Sequence, residues 1–137
     1  MSDRSEYLGF IQATVSRMAS HSFAMKGWSI TLVFAVAALG VQVENPLVVA
    51  LGVLPGLVFW ALDAYYLRQE RLYRSLWDDV AKSQSDATQD FSMDTDPYKG
   101  ERTFKAALRS PVVWLVHGSG IAAMVIITAI LAFAVSE

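Results

Sequence analysis

Apolar residues in this chain are bunched into three long runs, 26–43, 46–67 and 111–135. Each is long enough as a helix to cross a hydrocarbon core about 30 Å thick. Only Glu44 and Asn45 separate the first two, and with Pro46 they make a tight turn in which Pro46 suits the first position of the next helix. Spans joined by so short a link must run antiparallel. The second run, PLVVALGVLPGLVFWALDAYYL, passes directly into RQERLYRSLWDDVAK. That tail is charged but keeps Leu72, Leu76 and Val80 at helical spacing, with Tyr73 and Trp77 beside them. No proline or glycine falls between Gly56 and Lys82, so one long helix from Pro46 to Lys82 is predicted, leaving the membrane and continuing into water.

Residues 1–25 form an amphipathic element in which Tyr7, Leu8, Ile11, Val15 and Met18 share a helical face. Two readings fit it: a helix packed on another helix of the chain, or one lying flat in the lipid interface. Folding the chain back about Asn45 gives a register in which facing residue numbers sum to about 90. Lys26 then lies at the depth of Asp63, while Met18 faces Leu72, Val15 faces Leu76 and Ile11 faces Val80. This geometry predicts a short antiparallel coiled coil projecting into the cytoplasm, each helix roughly 55–60 Å long. The rest of 68–110 reads as a solvated loop, SQSDATQDFSMDTDPYKGE, and a short basic stretch from Arg102 to Arg109. Ser110-Pro111 is a helix start signal for the third run. The expected fold is all-α, with three transmembrane helices and the first two extended as a long antiparallel hairpin.

Composition supports a membrane class. Hydrophobic residues make up 54% of 137, enough for one domain at most. The absence of cysteine excludes a disulfide framework and a thiolate site. The first 25 residues lack a signal-peptide core and cleavage site, so the amino terminus is expected to be retained. Charge placement is more informative than the net value of −2. All 11 basic residues lie at or before the start of the first run or between the second and third, which places both segments in the cytoplasm and the carboxy terminus outside.

Several residues could carry chemistry. Asp63 falls within the inner leaflet, where a carboxylate is costly unless partnered. One reading gives it an ion pair or hydrogen bond with Lys26, Ser22 or His21; the other makes it a gating or ion-path group. Gly52 and Gly56 are spaced to let helices approach closely, and Pro55 should bend the helix there, as a packing seam or a hinge. His117 sits inside the third run. It either bonds a neighbouring helix, with Gly118 and Ala122 as a small-residue contact, or serves a proton or pore-lining role. No metal or cofactor is expected: no second histidine or glutamate stands at ligand spacing beside His117. Asp90, Asp94 and Asp96 miss the calcium-loop pattern and suit a solvated loop or a docking patch. Arg68, Arg71 and Arg74 follow a membrane exit, where anionic lipid is the expected partner and nucleic acid is not. Phosphate-binding loops, zinc-protease helices and nucleophile elbows are all missing, so no enzyme activity is expected.

Taken together, Ser22-Phe23, Lys26-Gly27-Trp28, Leu62-Asp63-Ala64-Tyr65-Tyr66-Leu67, Gln69-Glu70-Arg71 and Asp90-Phe91-Ser92-Met93 resemble a group of small, mostly uncharacterised bacterial multi-span membrane proteins. That resemblance covers roughly the first two thirds of the chain and implies a bacterial inner-membrane location. In outline the chain is also similar to membrane effectors of bacterial antiphage nucleotide-signalling systems. This implies a cytoplasmic protein or nucleotide signal, assembly, and breach of the membrane. The expected function is a homo-oligomeric, channel-like or membrane-permeabilising effector. The alternatives are a membrane anchor that recruits a soluble partner and a small proton-coupled transporter using Asp63 and His117.

Overall fold

The computed structural model of the chain describes residues 3–83 and 91–136. Within them the secondary structure is entirely helical: α1 (Asp3–Gln42), α2 (Pro46–Leu51), α3 (Val53–Lys82), a 3-10 turn (Asp96–Tyr98), α4 (Phe104–Leu108) and α5 (Pro111–Ser136). Three stretches, Asp3–Gln42, Pro46–Lys82 and Pro111–Ser136, are long and apolar enough to cross a membrane. Residues 3–25 and nearly all of the first apolar run belong to one unbroken helix, α1, of 40 residues. At 1.5 Å per residue it is about 60 Å long.

α1 ends in a tight cap. The Asn45 N–H donates to the Gly40 carbonyl (2.9 Å) and the Glu44 N–H to that of Val41 (3.1 Å). This is the paired closure of a left-handed helix terminus, and Glu44 takes the left-handed conformation at φ 51°. The Asn45 side chain then accepts from the Leu47 N–H and caps α2, with Pro46 at its first position.

The single helix expected from Pro46 to Lys82 is instead interrupted at Gly52, three residues before Pro55. Pro55 has no N–H for the Leu51 carbonyl, and its ring crowds that carbonyl, so the helical ladder opens just upstream of the proline. Gly52 stays near helical geometry (φ −65°, ψ −14°) and donates back to the Val49 carbonyl at 3.0 Å. The chain therefore continues in much the same direction.

α1 lies along α2 and α3. Arg4 reaches the Val80 and Ala81 carbonyls, Lys26 meets Asp63, and Gly40 lies against Val49, so the two run antiparallel. The Arg4 guanidinium thereby satisfies carbonyls that the end of α3 leaves without helical partners. Tyr7, Ile11, Val15, Leu76 and Val80 form one apolar cluster, and Val33, Ala37, Val49 and Met124 form another at the opposite end. Full burial of Ile11 contributes about 2–3 kcal/mol. Leu72 is buried and Met18 half-buried.

The segment read as a solvated loop is partly packed. Met93 and Tyr98 lie against the Tyr7 cluster, and the Tyr7 hydroxyl donates to the Ser92 carbonyl. Apolar residues isolated among polar ones carry no periodicity, which hides such packing in the sequence. The basic stretch contains α4, whose Ala107 is fully buried with Ala64 and Val113. Asp94 and Asp96 are exposed, and Asp90 lies outside the described residues.

Candidate functional site

Between the two apolar clusters the buried positions turn polar: Ser22, Ser29, Asp63 and His117. All three long helices contribute. On α1, Ser22, Lys26 and Ser29 recur at spacings of four and three and so share one face. Asp63 is supplied by α3 and His117 by α5.

Asp63 is wholly buried and sits at the centre. Its Oδ1 accepts from Ser22 Oγ at 2.5 Å and from Lys26 Nζ at 2.7 Å. Its Oδ2 accepts from His117 Nε2 at 3.0 Å. An ionised carboxylate only accepts, so the hydrogen bond assigns the proton to Nε2. In the neutral ring Nδ1 then accepts, and Ser29 Oγ, 3.0 Å away, donates to it. Lys26 Nζ also donates to Ser22 Oγ at 3.0 Å. Trp60 lies parallel to the His117 ring (centroids 6.4 Å apart, planes at 12°) and donates its Nε1–H to the Leu108 carbonyl at 3.1 Å.

The polar atoms are thus satisfied by one another, which removes most of the cost of burying them. Removing either partner of a buried ion pair typically costs about 3–5 kcal/mol, so each of the three helices has a large stake in the arrangement.

Ser29, His117 and Asp63 follow the order of a nucleophile–base–acid relay. Acyl transfer also needs donors aimed at a developing oxyanion. Ser29 and His117 lie inside helices whose backbone N–H groups are engaged along the helix axis. Ser119, the other hydroxyl in the groove beside Ser29, donates to the Val116 carbonyl at 3.1 Å. What the arrangement does provide is a tie among three helices and a short path for a proton between Ser29 and Asp63.

The remaining sequence-derived residues are distributed differently. His21 packs on Tyr66, with ring centroids 5.0 Å apart, and is not bonded to Asp63. Gly52 lies against Met124 and Val36, and Gly56 against Ile121 and Val33, so both accommodate close helix packing within the chain. Gly118 has only its own Trp114 as nearest neighbour and Ala122 is exposed, so these two face away from the bundle. Arg68 donates to the Arg102 carbonyl (2.7 Å), Arg71 to Ser110 Oγ (3.0 Å), and Arg74 pairs with Glu70 (2.7 Å). Among the described residues no group of three His, Asp or Glu side chains could hold a metal. Sequence reasoning does not single out Ser29, for which the α1 spacing Ser22-Lys26-Ser29 is the available signal, and it suggests for Trp60 only an aromatic belt with Tyr65 and Tyr66.

Two grooves open nearby. One of about 470 Å³ runs between α1 and α5 and includes Ser29, Val33, Phe34 and Ser119. The larger, about 730 Å³, lies toward the far end of α1, among Glu6, Tyr7, Phe10, Arg17, Phe91 and Met93, away from Asp63. Comparison with known protein families, curated proteins and solved structures gives no match.

Proposed function

We propose that the chain is a non-enzymatic integral protein of a bacterial inner membrane, working as a homo-oligomer whose helices are held in a resting arrangement by Asp63. In this reading α1, α2–α3 and α5 cross the bilayer, and α1 and α3 continue into the cytoplasm as an antiparallel hairpin. The amino terminus is inside and the carboxy terminus outside, in keeping with the placement of all 11 basic residues. A cytoplasmic partner or nucleotide signal acts on the hairpin and the 83–109 segment, frees the helices from Asp63, and lets the assembly permeabilise the membrane.

One observation carries the reading: a single buried carboxylate joins all three long helices, so loss of its contacts frees them together. The surface of α5 supports assembly. Only 6% of its most apolar window is buried within the chain, which leaves nearly all of it for lipid or further copies. Three helices enclose no aqueous path alone, so conduction requires several chains.

The test is the mass of the purified protein in detergent, paired with dye entry and membrane potential in cells expressing it. An oligomer, with leak that increases in Asp63→Asn, supports the proposal. A monomer, in cells that keep full potential at high expression, overturns it. Topology can be read separately. Because the chain has no cysteine, Ser16→Cys should label only from the cytoplasm and Ser136→Cys only from outside.

The groove around Tyr7, Phe10, Phe91 and Met93 favours a second reading, a membrane anchor for a soluble protein seated there. A stoichiometric partner co-purifying with no change in conductance would support that reading over the first.

A further inference from the structure

Eight basic residues lie between the second and third apolar runs, and the structure divides them by what they bind. Arg68, Arg71 and Arg74 are engaged within the chain, Lys99 pairs with Asp96, and Arg102 donates to Ser75 Oγ at 3.1 Å. The side chains of Lys82, Lys105 and Arg109 have no hydrogen-bond or ion-pair partner among the described residues. Lys82 ends α3, far along the sequence from either apolar run. Lys105 and Arg109 stand immediately before α5.

The position of α4 gives these two a direction. Ala107 is fully buried against Ala64 and Val113, and the Leu108 carbonyl is held by Trp60. α4 is therefore fastened to the apolar stretch of α3 and to the first turn of α5. Phe104, Lys105, Ala106 and Arg109 are exposed. Lys105 and Arg109 are four residues apart, one helical turn, so their side chains project side by side. Directly after them, Val112, Trp114 and Leu115 are all more than half exposed and require an apolar surround. A cationic pair bordering an aromatic and aliphatic ring matches the layering of a phospholipid leaflet, phosphate above acyl chains.

We propose that α4 is a lipid-headgroup clamp, in which Lys105 and Arg109 together bind the phosphate of an anionic phospholipid in the cytoplasmic leaflet. Arg68 and Arg71, for which the sequence also suggests lipid, are bonded to the connecting segment and hold it on α3, while Arg74 pairs with Glu70 within α3. The inference rests on the membrane-spanning reading above and adds a ligand class and a binding site to it.

The probe is phosphatidylglycerol against phosphatidylcholine, counted as lipid retained by the full chain in native mass spectrometry from detergent. The wild-type chain should retain phosphatidylglycerol preferentially. At about 1 kcal/mol per cation near a membrane surface, K105Q/R109Q should weaken that preference by roughly ten- to thirty-fold. The charge-matched K82Q/K99Q should keep it, and K105R/R109K should restore it. Equal preference in K105Q/R109Q and wild type, or equal loss in both glutamine doubles, overturns the clamp. A chain that enters micelles without headgroup preference defeats the clamp alone. A chain that stays in buffer without detergent defeats the membrane-spanning reading as well.

Discussion

His117 Nε2 lies 3.0 Å from Asp63 Oδ2, with neither side chain exposed, although 54 residues separate them. The same carboxylate takes Lys26 on its other oxygen. Asp63→Asn leaves a buried ammonium without its counter-charge and replaces one acceptor by a donor. We expect a loss of about 3–5 kcal/mol, read as a lowered unfolding midpoint in detergent. In Asp63→Asn/Lys26→Met no uncompensated charge is left, and much of the loss should be recovered. A loss in the double variant equal to the Asp63→Asn and Lys26→Met losses added together would show that Lys26 and Asp63 are not coupled.

That contact also marks the limit of what the sequence discloses. Antiparallel register about Asn45 brings Lys26 to Asp63, and their numbers sum to 89 as paired in the structure. The apolar face of Ile11 and Val15 follows from helical spacing and meets Leu76 and Val80 in one cluster. The third run carries no comparable register signal: it is apolar all round, and a connecting segment of over forty residues fixes neither its rotation nor its neighbours. Which face of α5 turns inward, and hence that His117 meets Asp63 while Gly118 and Ala122 face out, required coordinates. The contacts that Arg68 and Arg71 make with the connecting segment were hidden for a related reason. Charge near a membrane exit indicates lipid on average, whereas a bond from Arg68 to the Arg102 carbonyl or from Arg71 to Ser110 depends on where the connecting segment lies.

Glycines along α1 separate open positions from crowded ones. A Cβ at Gly9 meets nothing within 4 Å, so Gly9→Ala should stabilise the helix by about 0.5–1 kcal/mol through reduced backbone entropy cost. A Cβ at Gly40 would collide with the Val49 side chain and lie 2.7 Å from the Val49 backbone nitrogen, which cannot rotate aside. Gly40→Ala should therefore cost about 1–3 kcal/mol. At Gly52 the main obstacle is the flexible end of Met124, so Gly52→Ala should cost less than Gly40→Ala. Unfolding midpoints give the order, and a neutral Gly40→Ala would deny the close crossing of α1 and α2.

Glu44 occupies a left-handed position that glycine fills with less strain. An ordinary L-residue there costs roughly 1–2 kcal/mol, partly offset in Glu44→Gly by a more flexible unfolded chain. The net expectation is a gain of up to about 1 kcal/mol, with Glu44→Asn intermediate. A loss of stability in Glu44→Gly would mean that the carboxylate makes a contribution beyond the turn geometry.

Tyr98 links the connecting segment to α3 through its hydroxyl, which donates to Asp79 Oδ2 at 2.7 Å. Partial burial, with the hydrogen bond and negative charge of Asp79 behind it, raises its pKa from 10.0 to about 12. Tyr7 is raised as well, by burial alone. For Tyr98 the folded chain keeps a proton that the unfolded chain gives up, so stability falls as pH rises between these values. The contribution is complete below pH 10 and lost by about pH 12. Phenolate absorbance should show Tyr98 titrating late, identified as the component removed in Tyr98→Phe. Asp79→Asn should move that component downward while burial keeps it above 10. If it titrates at the ordinary value in the wild-type chain, the segment carrying Tyr98 does not rest on α3 in solution. The docking of α4 would then depend on the burial of Ala107 against Ala64 and on Trp60, Arg68, Arg71 and Arg102.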